Sequence, residues 1–230
     1  MNLIKNKSEF FKNKTCFVFD FDGVIKDSVH AKTVAFQKIY ENEEKEILRK
    51  VKDYHLKNGG MPRFQKFKYY EETLLKKKVS DDKINELCSK FSIIVKDKVV
   101  NCKPIPGILI FLNKLKEKRI LTAINSATPL NELNEIIYKS NYDKYFDKVY
   151  GSPSSKTENL LSIMNDYKIN LDDIIFFGDA KSDLLAAQEL NIDFVGVGSF
   201  LKNVNIQQSD KYFFIDNFKE LSQLEIKKNE

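Results

Sequence analysis

Two aspartates two positions apart, Asp20 and Asp22, stand at the end of the apolar run Phe17-Val18-Phe19 and just ahead of Gly23. Carboxylates in that setting are costly to bury unless a positive charge balances them, and a divalent cation is a natural partner. By itself the Asp-x-Asp-Gly stretch fits two readings, an Asx-type turn that ends a strand or a cation site. Other polar residues fall at comparable places. Ser126 and Thr128 close the apolar run 120–124, Lys156 follows the run 146–150, and Gly178-Asp179-Ala180-Lys181-Ser182-Asp183 closes the run 174–177. Taken singly, Ser126 reads as a helix cap, Lys156 as a solvated surface lysine, Asp179 as a turn residue and Asp183 as the N-cap of a helix over 184–190. Taken together they suit phosphoryl transfer. One carboxylate attacks and forms an aspartyl-phosphate, others hold Mg2+, and a hydroxyl and an ammonium neutralise the non-bridging phosphate oxygens.

These residues can converge only if the runs are parallel strands of one sheet, whose carboxyl edge is where such sheets bind ligands. The strands expected are 15–21, 120–124, 146–150, 174–177, 194–197 and 212–215. Helices are expected between them: one after Pro106 with Ile108, Phe111, Leu112 and Leu115 on one face, one opened by Thr128-Pro129, and one after Thr157. This alternation predicts an α/β fold, a Rossmann-like parallel sheet with helices on both faces. Residues 27–103 break the pattern, with helical spacing almost throughout and no convincing strand. The expected organisation is a core of residues 1–26 and 104–230 carrying an all-helical insertion at 27–103.

The 230 residues, 42% hydrophobic and 31% charged, describe a folded globular chain with neither a disordered nor a fibrous composition. The longest apolar run, 105–112, contains Pro106 and Gly107 and is too short to span a bilayer, and residues 1–14 lack a signal-type apolar stretch, so a cytoplasmic protein is expected. Three scattered cysteines, Cys16, Cys88 and Cys102, suggest small buried side chains, with no disulfide framework and no zinc site. The net charge of +5 is carried by scattered lysines with only three arginines, which argues against nucleic acid. A non-catalytic basic binding protein on the same scaffold is the weakest reading.

Asp20-x-Asp22-Gly-Val, Ser126 after an apolar strand, Lys156, and Gly-Asp179-x-x-x-Asp183 together resemble the four motifs of the haloacid dehalogenase-like superfamily, in order and spacing across almost the whole chain. The insertion looks like the helical cap of the phosphoglycolate-phosphatase and β-phosphoglucomutase branch. The resemblance implies that Asp20 is the nucleophile and a Mg2+ ligand. It implies that Asp22 is first acid and then base, with its backbone carbonyl on the metal. Ser126 and the Ala127 amide would hold phosphate, Lys156 would bridge phosphate and nucleophile, and Asp179 with Asp183 would complete the metal shell. An Asp at position 22 favours a phosphatase or mutase over a dehalogenase. Thr157 stands where many relatives have Pro, and it can cap the next helix.

Gly59-Gly60-Met61-Pro62-Arg63 resembles the specificity loop of such caps, which would let Arg63 reach a phosphate or an anionic leaving group; a plain helix–helix turn with an exposed Arg fits equally well. Lys66 and Lys68 are expected at the surface, where they would deepen the positive field over the crevice, and His30 and His55 in structural roles. The implied substrate is a small phosphomonoester, a sugar phosphate or a short amino- or polyol phosphate, and the chain also looks like capped phosphatases of surface-polysaccharide pathways. A phosphosugar mutase would share every core residue. Monomer and homodimer both remain open.

Overall fold

The computed structural model describes residues 10–199 and 211–224. Six parallel strands form one sheet: β1 (Cys16–Phe19), β2 (Leu121–Pro129), β3 (Lys148–Ser152), β4 (Ile174–Gly178), β5 (Asp193–Val197) and β6 (Tyr212–Ile215), in the spatial order β3-β2-β1-β4-β5-β6. The order reverses beside β1, so crevices open at the carboxyl ends of β1, β2 and β4. β1 pairs in register with both neighbours, Phe19 opposite Ile124 and Phe177.

The strands are buried on both faces, and their alternation sorts two cores. Phe17, Phe19, Phe177 and Val195 point to one face, where they meet Phe111, Leu115 and Leu133 from α5 (Ile108–Glu117) and α6 (Leu130–Lys139). Val18, Ala123, Phe176 and Phe194 point to the other, against Leu160 and Ile163 of α7 (Lys156–Tyr167) and Leu184 and Ala187 of α8 (Lys181–Glu189). Ring stacking reinforces the first face, with Phe19 and Phe177 centroids 4.7 Å apart.

Between β1 and α5 lie only helices among the described residues: α1 (Val29–Ile39), α2 (Lys45–Lys57), α3 (Arg63–Tyr69) with a π-turn over Tyr70–Leu74, and α4 (Asp81–Asn101). Their own core is aromatic, built on Phe36, Phe67, Tyr70 and Phe91. The chain enters and leaves this insertion side by side. Lys26 bridges to Pro104, Asp27 N–H donates to the Lys103 carbonyl at 2.9 Å, and Ile105 N–H to that of Ile25 at 3.0 Å.

Several boundaries differ from expectation. β1 stops at Phe19 rather than 21, so Asp20 is the first residue past the strand, where its N–H still bonds the Phe177 carbonyl at 2.8 Å. β2 runs through Ser126 and Thr128 to Pro129 because pairing with β3 shifts register after Asn125 and resumes at Pro129 opposite Ser152. β3 lies at Lys148–Ser152, two residues beyond the apolar run. Helix α7 is capped by Ser155, whose hydroxyl accepts from Glu158 N–H, while Thr157 donates to Glu189 instead. Cys16 is buried, but Cys88 and Cys102 are only half-buried, and all three are free. No helix among the described residues is long and apolar enough to cross a membrane.

Candidate active site

The ends of β1, β2 and β4 bring the singled-out residues to one place. Asp20 is buried and accepts a 2.7 Å bond from the N–H of Phe21, which fixes its carboxylate where the strand ends. Lys156, the first residue of α7, is also buried, so it is no surface lysine. Its ammonium lies 2.9 Å from Asp20 Oδ1 and 2.8 Å from Asp183 Oδ1, and donates to the Asn125 carbonyl at 2.7 Å. Burial alone would pull the Lys156 pKa down, but Asp183 and Asp20 hold it above its ordinary value. Asn125 is anchored in turn by Asn159, which donates to its side-chain carbonyl at 2.9 Å.

Asp183 does not cap a helix over 184–190. Helix α8 begins at Lys181, and Asp183 lies inside its first turn, fully buried, where it accepts from Ala180 N–H at 3.1 Å and faces Lys156. Carboxylate oxygens of Asp20, Asp179 and Asp183 lie within 4.8 Å of one another. Desolvation pushes the pKa of Asp179 well up, and the neighbouring Asp20 and Asp183 add to it; Asp20 is pushed up to about 7 by burial against the opposing pull of Lys156. Three close carboxylates with one ammonium are short of positive charge, and all their donors are oxygens, so a hard divalent cation fits this cluster. Gly23 makes room for it. Its backbone has φ +79°, and a Cβ there would stand 2.1 Å from Asp179 Oδ2.

The Asp22 side chain turns away from that cluster. Its Oδ1 accepts from Ser28 at 2.5 Å, and its Oδ2 from Lys32 and, at 3.2 Å, from Thr128. Burial would raise its pKa, but Lys32 and these hydroxyls together hold it below the usual carboxylate range. Ser126 is buried with its Oγ accepting from Thr128 N–H at 3.2 Å, and Ala127 lines the crevice beside it.

The crevice has a volume of about 270 Å3 and is walled on one side by Asp20, Asp22, Ser126, Ala127 and Asp179, on the other by insertion residues that include Phe36, His55, Met61 and Phe91. The loop 58–62 packs directly on the start of α8: Ser182 donates to the Gly59 carbonyl at 3.0 Å, and a Cβ on Gly60, whose φ is +72°, would meet Ser182 Oγ at 2.0 Å.

Two expectations for this loop need correction. Arg63 lines the crevice but is not free to meet a ligand: its guanidinium makes a bidentate pair with Glu132 of α6, 2.8 and 2.5 Å, and donates to Ser92 at 2.6 Å. Lys66 is not at the surface. It is buried and lines the crevice, because residues 63, 66, 67 and 70 share the inward face of one helical turn after another. Lys68 and His30 are exposed, and His55 is buried against Lys66. The residues missed in the sequence are thus Ser28, Lys32, Glu132 and, as a fixed support, Asn125, while Lys66 was expected at the surface and His55 in a structural role. For Lys66 the signal was its register with Phe67 and Tyr70; for Ser28 and Lys32 it was their spacing of one helical turn.

Residues 17–197 match the family described as haloacid dehalogenase-like hydrolase. The chain belongs to that family. This hydrolase is 25% identical over 189 residues to a phosphorylated carbohydrates phosphatase of Thermotoga maritima, covering 76% of this chain and 81% of the relative. Among solved structures it is similar to a predicted phosphatase from Clostridium acetobutylicum (TM-score 0.71, 22% identity, 91% and 96% of the two chains). It is also similar to a β-phosphoglucomutase from Clostridium difficile (TM-score 0.70, 21% identity, 90% and 93%). At those identities the structural likenesses speak for the fold.

Proposed function

We propose that this phosphatase hydrolyses a small phosphorylated sugar, or a short amino- or polyol phosphate, with Mg2+ as cofactor and an aspartyl-phosphate on Asp20. The observation that carries the reading is the Lys156 ammonium held between Asp20 and Asp183 beside Asp179. Lys156 and the Phe21 N–H both hold Asp20 Oδ1, which leaves Oδ2 as the oxygen to attack.

Asp20 attacks phosphorus, and the ester P–O bond breaks. Asp22 gives the departing oxygen a proton, then takes one from the water that attacks the phospho-enzyme and frees Asp20. Its grip by Lys32 and Thr128 keeps Asp22 in the base form before substrate arrives. Its acid role therefore begins with a proton carried in by the ester monoanion, whose second ionisation lies near pH 6, roughly. Ser126 and the Ala127 amide hold non-bridging oxygens, and Lys156 neutralises their charge. Asp20, Asp179, Asp183 and the Asp22 backbone carbonyl would hold Mg2+. When bound, the cation screens the carboxylates and polarises the phosphoryl group.

Residues 27–103 act as a cap over this crevice, excluding water and bulky esters. The crevice volume supports a small-molecule ester over a phosphoprotein. The name of the Thermotoga relative supports a sugar phosphate. The resemblance to capped phosphatases of surface-polysaccharide pathways supports a substrate from such a pathway. A phosphosugar mutase would need the same residues, and nothing in the crevice favours it.

The test is a panel of small phosphate esters assayed for released phosphate with Mg2+ and with EDTA. Hydrolysis that EDTA abolishes supports the reading. Isomerisation that needs a bisphosphate primer would replace it with the mutase, and no turnover of any ester would remove it.

A further inference from the structure

Among the described residues, four cations stand at or beside the crevice, and three of them are matched by carboxylates: Lys156 by Asp20 and Asp183, Lys32 by Asp22, and Arg63 by Glu132. Lys66 is the exception. Its side chain is buried at 3% exposure, yet among the described residues no carboxylate lies within ion-pair distance of its ammonium. Its polar contacts are with one residue, His55: Nδ1 at 2.9 Å and the main-chain carbonyl at 3.5 Å. Burial and the nearby lysines hold the His55 pKa down to about 3, so its ring is neutral; Lys66 in its ammonium form has no lone pair and donates to Nδ1, while His55 Nε2 is buried and without a hydrogen-bond partner. At least one Lys66 N–H is left over.

Keeping such a charge out of water costs several kcal/mol, roughly, and burial accordingly pushes the Lys66 pKa down to about 7, so an anion that meets the side chain would restore its full charge. The surroundings are also apolar. The Phe36 ring is 5.6 Å from the Lys66 ammonium, and Phe91 and Met61 line the same cavity, so a charge pair formed there would be poorly screened. The same cavity is lined by Asp20 and Ser126, which hold the phosphoryl group in the proposed function. Lys66 lines the same cavity, so its remaining N–H is available to a leaving group held there.

We infer that Lys66, positioned by His55, reads a second anionic group on the leaving-group side of the substrate, so that the ester carries either a carboxylate or a second phosphate besides the one removed. The inference rests on the phosphatase reading of the same crevice and narrows it. Lys66 is then a specificity-determining residue, and the aromatic walls accept the carbon chain between the two anions.

A matched series tests it: glucose 6-phosphate, 6-phosphogluconate and glucose 1,6-bisphosphate, compared by kcat/KM with Mg2+, beside p-nitrophenyl phosphate as a generic ester. One of the two doubly anionic esters should exceed glucose 6-phosphate by at least about tenfold, the value of one charge-assisted contact. The better of the two identifies carboxylate or phosphate as the partner. In Lys66→Met the gap should close to about twofold. If that variant does not fold, inhibition of the wild type by gluconate against glucose reads the same contact, and gluconate should bind at least about tenfold more tightly if carboxylate is the partner. A wild-type ratio near one, or a ratio unchanged in Lys66→Met, would overturn the role of Lys66 while leaving the phosphatase intact. No turnover of any ester, p-nitrophenyl phosphate included, would remove the phosphatase reading and this inference with it.

Discussion

Arg63 and Glu132 join the helical insertion to the core through two parallel hydrogen bonds, 2.8 and 2.5 Å, in a setting where both side chains are less than a tenth exposed. Ser92 of α4 donates to the same carboxylate at 2.5 Å, so one acid of α6 gathers two elements of the insertion. Burial would raise the pKa of Glu132, but Arg63 and Ser92 hold it below the usual range.

Removing either partner strands a buried charge, so Glu132→Ala and Arg63→Met should each lower the unfolding free energy by about 3 kcal/mol. The double variant Arg63→Met/Glu132→Leu should lose less than the two single losses added together, because no charge is left alone. Urea unfolding of the four proteins measures this, and additive losses would show that the pair is not coupled.

Gly23 has a different duty. With φ +79° and Asp179 Oδ2 where its Cβ would stand, Gly23→Ala must displace the carboxylate of the cluster that, among the described residues, accepts no hydrogen bond. The apparent Mg2+ requirement of phosphate release should rise by about tenfold or more, that is by at least about 1.4 kcal/mol. A Mg2+ titration with unchanged midpoint would contradict the placement of Asp179 as a ligand.

His55 makes stability depend on pH. Burial first, then the Lys66 and Lys32 charges, push its pKa down to about 3 from the ordinary 6.5. A folded-state pKa below the unfolded one means that the unfolded chain binds the proton. The contribution is thus complete above pH 6.5 and is lost as the pH falls toward 3. Between pH 7 and pH 5, roughly, the wild type should lose about 2 kcal/mol from this group, and His55→Gln should lose correspondingly less. Equal losses in urea unfolding at the two pH values would remove His55 from the account.

Much of this site was legible because strand ends are simple to find. Runs such as Ile174-Ile-Phe-Phe177 are apolar on both sides, and the polar residues that follow them lie at the sheet's carboxyl edge, which brought Asp20, Asp179 and, a few residues past its strand, Lys156 to one place. β2 was misjudged because Asn125-Ser-Ala-Thr128 has loop composition, yet a register shift keeps it paired. Lys66 and Arg63 were misjudged for a reason of the same kind. Polarity argued for the surface, while the helical register of Phe67 and Tyr70 placed both side chains inward. Which acid would face Arg63 was not readable, since Glu132 lies 69 residues further along the chain.

The central claim is that Asp20 carries the phosphoryl group. A single turnover with a 32P-labelled ester and Mg2+, quenched in acid and followed by peptide mapping, tests it most directly. The account predicts an acid-stable, hydroxylamine-sensitive label on the peptide that contains Asp20, absent from Asp20→Asn, together with a loss of several orders of magnitude in turnover. A label that persists in Asp20→Asn, or hydrolysis that continues there at the wild-type rate, would contradict it.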